Sequence, residues 1–306
     1  MADGLTPTVA SGRIELLTAI HWKIVPPFAP EMDNLHDQVD LLGRCIAAQV
    51  ATIEPREAVL AADYMLSSTV ISGAITGNPA VAGRLFDSIE AHCGARPLSF
   101  LHTYMCSGWG YALRYFSRHT DSRLVMLSIA DVDVHNLRYH LSHPQLGQMG
   151  FGISTLLLSL PQSREETATT GGPYPDSAFK EFIRALRKHN AARRPAMTFV
   201  PFFRPSLAAI VTNTLGKAAV GENRHELDGH CFGSDPWIGI ITWLQKHPLN
   251  TPVNITAGAV ALNGYYTLCE VGLSPQTLIS YREARGGAGD LEVAIRDARM
   301  QAVSCT

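Results

Sequence analysis

Four places in this sequence carry residue types that could do chemistry. Residues 104–113 read YMCSGWGYAL, with Cys106 where an extended run turns into an apolar pattern at helical spacing. A thiolate is the nucleophile, and a helix N-terminus lowers a thiol pKa through its dipole and unpaired N–H groups. Ser107 and Gly108 allow close backbone approach there, and the Cys106 N–H could serve a substrate oxyanion. The plain alternative is a small buried apolar residue. His230 stands in DGHCFGSDPW, after Gly229 and before a helix that starts near Pro236. An imidazole on such a loop can act as acid, base or hydrogen-bond donor. It is one of twelve histidines, most of them surface or capping residues, and His225 on the same segment competes with it. Asn254 ends a short strand in PVNITAGAVAL and runs into small residues that would admit a ligand. A turn or cap is its plain role. Gly286 and Gly287 follow a strand in EARGGAGD, where their N–H groups could meet an anion or simply shape a hairpin turn.

Other chemistries lack their residues. Asp131 and Asp133 close a strand, but no second acidic cluster or His pair completes a metal site with them. The phosphate-cradling patterns GxGxxG and GxxxxGK[ST] are absent, and so is the GxSxG elbow of serine hydrolases. The six cysteines (45, 93, 106, 231, 269, 305) form no CxxC pair and fit no zinc spacing. Free thiols in a reducing compartment follow from that. A net charge of −2 gives no basic face, so nucleic acid is not an expected ligand. No apolar run reaches membrane-spanning length, and the first residues lack the basic-then-apolar order of a signal peptide. The expectation is a cytoplasmic protein.

The elements that must position these residues come next. The chain has 306 residues, 46% apolar and only 17% charged, which suits a large core or a buried partner surface. Apolar spacing predicts helices over 35–52, 79–93, 107–118, 178–190, 206–220 and 236–247, and a further one from about 258 to 271. Strands are predicted within 58–73 and at 123–133, 151–160, PVNIT and 277–284, with 98–106 extended. The last stretch, DLEVAIRDARMQAV, reads as strand and surface turn or helix. A polar Gly/Pro-rich stretch at 161–177 divides the chain nearly in half. Strands alternating with helices in two similar halves predict an α/β protein built by duplication of one βα unit.

Taken in order, the four places resemble the thiolase-like superfamily, most closely the β-ketoacyl-acyl-carrier-protein synthase III group. CSGWGYAL is similar to the element in which that group's nucleophilic Cys opens a buried helix. RLVMLSIADVD and GFGISTLLLSL resemble the strands that follow it. GHCFGSDPWIGIITWL resembles the loop and helix of its histidine, NITAGAV its Asn element, and TLISYREARGGAG its final strand and Gly-rich turn. The likeness covers about 35–295. His230 is followed by Cys-Phe-Gly rather than Gln-Ala-Asn, and GFGIS lacks the acid of its counterpart.

The resemblance implies a five-layered α-β-α-β-α thiolase-like fold. The N-terminal half, 1–165, would carry the nucleophilic Cys, and the C-terminal half, 166–306, the His and Asn. It implies ping-pong chemistry: Cys106 takes an acyl group from a thioester, and His230 with Asn254 then binds the second thioester for decarboxylative condensation. The backbone N–H groups of Cys106, Gly286 and Gly287 would form the oxyanion hole. Implied partners are an acyl carrier protein or coenzyme A thioesters, and a homodimer or heterodimer with a related chain. No metal or redox cofactor is implied. The altered boxes point to specialised metabolism. Two other readings stay open: an acyltransferase making an ester or amide with His230 as base, and an inactive partner of an active relative.

Overall fold

The computed structural model describes residues 13–136, 141–161, 167–174, 176–216 and 219–304. The chain runs β1 (Ile14–Val25), α1 (Leu35–Ala51), α2 (Arg56–Ala61), β2 (Asp63–Ser67), α3 (Ser72–Ile75), α4 (Pro79–Cys93), β3 (Ser99–Leu101) and α5 (Gly108–His119). It continues through β4 (Leu124–Asp131), the short pair β5 (Ser142–His143) and β6 (Gly147–Gln148), and β7 (Gly152–Ser159). Then come β8 (Ala168–Gly171), α6 (Ala178–Arg193), β9 (Met197–Phe199), α7 (Pro205–Leu215), α8 (His225–Asp228) and α9 (Asp235–Lys246). The last elements are β10 (Val253–Val260), β11 (Tyr266–Leu273), β12 (Leu278–Arg285) and α10 (Ala288–Ser304).

The order repeats. In the first half β1-α1-β2-α4-β3-α5-β4-β7 gives a sheet ordered β3-β2-β4-β7-β1, with only β7 antiparallel to its neighbours. In the second half β8-α6-β9-α7-α9-β10-β11 gives β9-β10-β11-β8, with β11 antiparallel to both neighbours. A bridge from Val220 to Thr198 stands where the first half has β3. The sheets join where Ile14 and Glu15 pair with Val271 and Gly272, and β12 then takes over that edge of β1. Although last in the chain, β12 and α10 therefore belong with the first half, α10 packing on α1.

Helices α5 and α9 lie between the two sheets. Their faces, Trp109, Leu113 and Phe116 with Trp237, Ile240 and Ile241, are buried against Val125, Leu127 and Ile129 of β4 and Ile255, Ala257 and Ala259 of β10. The outer side of the first sheet is covered by α1, α4 and α10, and that of the second by α6 and α7. Five layers result, as the resemblance implied. Fully burying one such side chain stabilises by roughly 1.5–3 kcal/mol, so the middle layer fixes how the halves meet. Trp109 and Trp237 touch edge to face, ring centroids 5.0 Å apart. Close contact needs a missing side chain: a Cβ on Gly110 would run into Thr267 of β11.

Several elements differ from the sequence reading. The helix expected from about 258 to 271 is instead the end of β10 and most of β11. Asn263-Gly264 makes the turn between them, Gly264 at φ 92°, and the following Tyr-Tyr-Thr suits a strand. The extended run 98–106 shrinks to β3 and a turn, and the closing segment is α10. β1 occupies a stretch to which the sequence reading assigns no element. Of the divider at 161–177, residues 162–166 and 175 lie outside the described residues, and β8 occupies part of the rest. The helix expected over 206–220 ends at Leu215, with 217–218 outside the described residues. Among the described residues no helix is long and apolar enough to cross a membrane.

Candidate active site

Helices α5 and α9 begin side by side. Each is 12 residues long, and each follows a 3-10 turn, Met105–Ser107 before α5 and Phe232–Ser234 before α9. Met105 and Phe232, the first residues of these turns, hold left-handed φ values of 46° and 53°. Such backbone is rare for bulky residues and gathers at functional sites. Gly108 lets α5 approach the end of β2, since a Cβ there would lie 2.6 Å from Ser67 Oγ. The result sets the Cys106 sulfur beside the loop after β2, with Thr69 Oγ1 at 3.9 Å. That loop is held by buried Asp131 at the end of β4. One carboxylate oxygen accepts from Ser68 Oγ (3.0 Å), the Thr69 amide (2.6 Å) and the Val70 amide (3.1 Å). Burial pushes the Asp131 carboxyl up to about 6, against the opposing pull of those donors.

His230 reaches the sulfur from the α9 side. Gly229 makes the turn with φ 75°, and a Cβ there would meet the backbone of Met149 and Gly150. The His230 amide donates to the Gln148 carbonyl (2.8 Å), and the His230 carbonyl accepts from the Gly150 amide (2.9 Å). The backbone is thus pinned on both sides. Nε2 lies 3.8 Å from Cys106 Sγ, and Nδ1 lies 2.6 Å from Asp235 Oδ2. The second contact is an ion pair. Burial alone would lower the imidazole pKa, but the Asp235 carboxylate outweighs it and pushes His230 up to about 10. Burial pushes Asp235 up as well, opposed by His230 and by the amides of Phe202 (2.8 Å) and Cys231 (2.6 Å). Those two donors and the imidazole favour the charged form of the carboxylate. The arrangement is a nucleophile, an acid–base group and an orienting carboxylate in line.

The sulfur opens onto a cavity of about 1130 Å³, walled by Thr69, Met105, Leu146, Met149, Phe179, Phe203, Phe232 and Val260 to Leu262. Val70, Phe151 and Ala261 complete an apolar surround for Cys106. No protein-family model and no curated protein matches the sequence. Solved structures do. The 3-oxoacyl-(acyl carrier protein) synthase III of Pseudomonas aeruginosa PAO1 superposes with a TM-score of 0.55 at 13% identity, over 84% of this chain and 97% of that one. The fold is that of the synthase III group. The acyltransferase ChlB3 matches with a TM-score of 0.59 at 10% identity, over 86% of this chain and 99% of its own. AbyA1, a tetronic acid condensing enzyme, matches with 0.55 at 13%, over 84% and 99%.

Within this synthase III fold the structure brings Cys106 and His230 together and leaves the other expected residues apart. Asn254 sits at the start of β10, whereas the cavity lies at that strand's far end, by Val260 and Ala261. Its side chain accepts from Arg13 and donates to Glu270 Oε1 (3.2 Å), so it ties strands together rather than facing the sulfur. The Gly286 amide already donates to the Val25 carbonyl (2.9 Å), and Gly287 lies beside Glu31 and Asp290 where α10 begins. Neither glycine lines the cavity, so this turn supplies no oxyanion hole. His225 bonds the Leu146 carbonyl (2.7 Å) and not the sulfur. Sequence reasoning missed Asp235, Thr69 and the anchoring role of Asp131. Asp235 had a signal, an acid just before the Pro that opens a helix, five residues after His230. Among the described residues no cluster of His, Cys, Asp and Glu could hold a metal ion.

Proposed function

We propose that this chain transfers acyl groups from a thioester through a covalent intermediate on Cys106. The observation that carries this reading is the line Cys106–His230–Asp235 ending at the wall of a large, mostly apolar cavity. The Cys106 thiolate attacks the thioester carbonyl; a carbon–sulfur bond forms and the carbonyl electron pair moves onto oxygen. Collapse of that intermediate breaks the bond to the carrier sulfur, which leaves with the proton of His230 Nε2. Neutral His230 then takes the proton of an acceptor hydroxyl or amine as it attacks the Cys106 thioester. Cys106 leaves as thiolate and the product is an ester or amide. Splitting the reaction this way replaces one hard step by two easier ones.

Decarboxylative condensation is the second reading, favoured by the name of one similar structure, a tetronic acid condensing enzyme. Condensation by the expected route also needs a carboxamide beside the histidine, and Asn254 does not supply one. An inactive partner chain fits least, because the sulfur is open to a cavity and faces a paired histidine. The donor class is an acyl carrier protein or coenzyme A thioester, the assembly a homodimer or heterodimer, and the setting cytoplasmic specialised metabolism. Intact-protein mass spectrometry with a panel of acyl thioesters tests the reading. A mass gain that disappears in Cys106→Ala supports it; no gain with any donor removes it. Release of carbon dioxide from a malonyl acceptor would select condensation instead.

A further inference from the structure

We propose that the Thr69 hydroxyl is the oxyanion donor of the acyl-transfer steps, a role that rests on the acyl-transfer reading above. Three observations place it. The turn at Gly286 and Gly287 is spent on Val25 and on the start of α10, so the donors expected there are missing. Thr69 Oγ1 lies 3.9 Å from Cys106 Sγ and lines the same cavity. The oxygen of an acyl group on that sulfur stands two bonds from it, so on the Thr69 side it can come within the ~2.7–3.1 Å at which such donors act. His230 stands at 3.8 Å from the same sulfur, so the hydroxyl and the imidazole can serve different atoms: the carbonyl oxygen and the departing or arriving proton.

The fold also holds the Thr69 backbone in advance of the reaction. Asp131, 1% exposed, takes the Thr69 amide at 2.6 Å together with its two neighbours' donors. The Thr69 carbonyl accepts from Ser72 Oγ at 2.8 Å. The contact of Gly108 on Ser67 sets the distance from this loop to α5. A donor fixed before the charge develops costs no reorganisation when it does. No proton leaves Thr69 in this role: as the carbon–sulfur bond forms and the carbonyl electrons move onto oxygen, the hydroxyl only donates a hydrogen bond.

Two reactions of Cys106 separate this role from others. Acylation by a thioester passes through an oxyanion, whereas alkylation by iodoacetamide displaces iodide at a saturated carbon and builds no oxyanion. Both are followed by intact-protein mass on wild type, Thr69→Val and Thr69→Ser. Thr69→Val is expected to slow acylation by about 10²-fold, the usual loss for one oxyanion donor, with alkylation changed less than threefold. Thr69→Ser, which keeps the hydroxyl, is expected to retain most of the acylation rate. Equal slowing of both reactions would show that Thr69 acts on the sulfur or on local packing, and would overturn the proposal. Unchanged acylation in Thr69→Val would overturn it too. A wild-type protein that is alkylated at Cys106 but acylated by no thioester would instead bring down the acyl-transfer reading, and this role with it.

Discussion

Asp235 Oδ2 lies 2.6 Å from His230 Nδ1, and both side chains are closed to solvent. A charge buried this deeply stays ionised only when its partner and its hydrogen bonds hold it there. Here the partner is the imidazolium, and the bonds are the amides of Phe202 and Cys231. The carboxylate thereby fixes the ring so that Nε2 faces the sulfur.

Asp235→Asn is therefore expected to lower acyl transfer by about 10²–10⁴-fold, the range for losing a positioned acid–base group. Asn keeps the size and an acceptor oxygen but not the charge that holds the ring protonated. Single-turnover transfer from the Cys106 acyl-enzyme is the measurement. A loss smaller than threefold would show that the carboxylate is not needed.

The same pair gives stability a definite alkaline limb. The folded pKa of His230, pushed up to about 10, lies above the ordinary value of 6.5. The folded state holds that proton more tightly, so the contribution is complete below about 6.5 and fades as pH rises toward 10. Burial shifts Asp235 upward as well. Denaturant titrations from pH 6 to 10 should show falling stability in wild type and a flatter profile in His230→Gln.

Asn254→Ala tests the correction to the site. This residue bonds Arg13 and Glu270 at the far end of β10 from the cavity. Expected are an unchanged transfer rate, within about threefold, and a stability loss of about 1 kcal/mol from the lost hydrogen bonds. A hundredfold loss of activity with stability intact would restore Asn254 to the chemistry.

The contrast between Cys106 and Asn254 shows what the sequence made legible. Helix α4 is legible in the sequence to the residue, because the periodicity of its apolar stripe reflects a single buried face, and α9, buried on nearly every side between the sheets, is legible to within one residue. Cys106 was read from the same signal, being the point where such a stripe begins. Asn254 was misplaced because its role depended on how far β10 runs. Ala257, Gly258 and Ala259 carry little periodic signal, since that strand is buried on both faces. Taking the last two into a helix ended the strand early and put Asn254 at its tip. In the sequence Asp131 shows only as a strand end, and Asp235 shows no role at all. Their importance lies in donors brought from distant segments, such as the Thr69 amide and the Phe202 amide, and no local pattern records those contacts.

Asp131 supplies the last prediction. Its folded pKa, pushed up to about 6 by burial, exceeds the ordinary 3.8. The native state therefore binds this proton more tightly than the unfolded chain does. Stability should fall as pH rises from about 4 to about 6, where the unfolded carboxyl is ionised and the folded one is still giving up its proton. Asp131→Asn keeps an oxygen to accept from Ser68, Thr69 and Val70 but cannot titrate. It should remove that acid limb while leaving the loop and Thr69 in place. The checks are chemical denaturation from pH 4 to 7 and Cys106 acylation at pH 7. A variant whose stability kept the wild-type slope across that window would show that Asp131 is not its source.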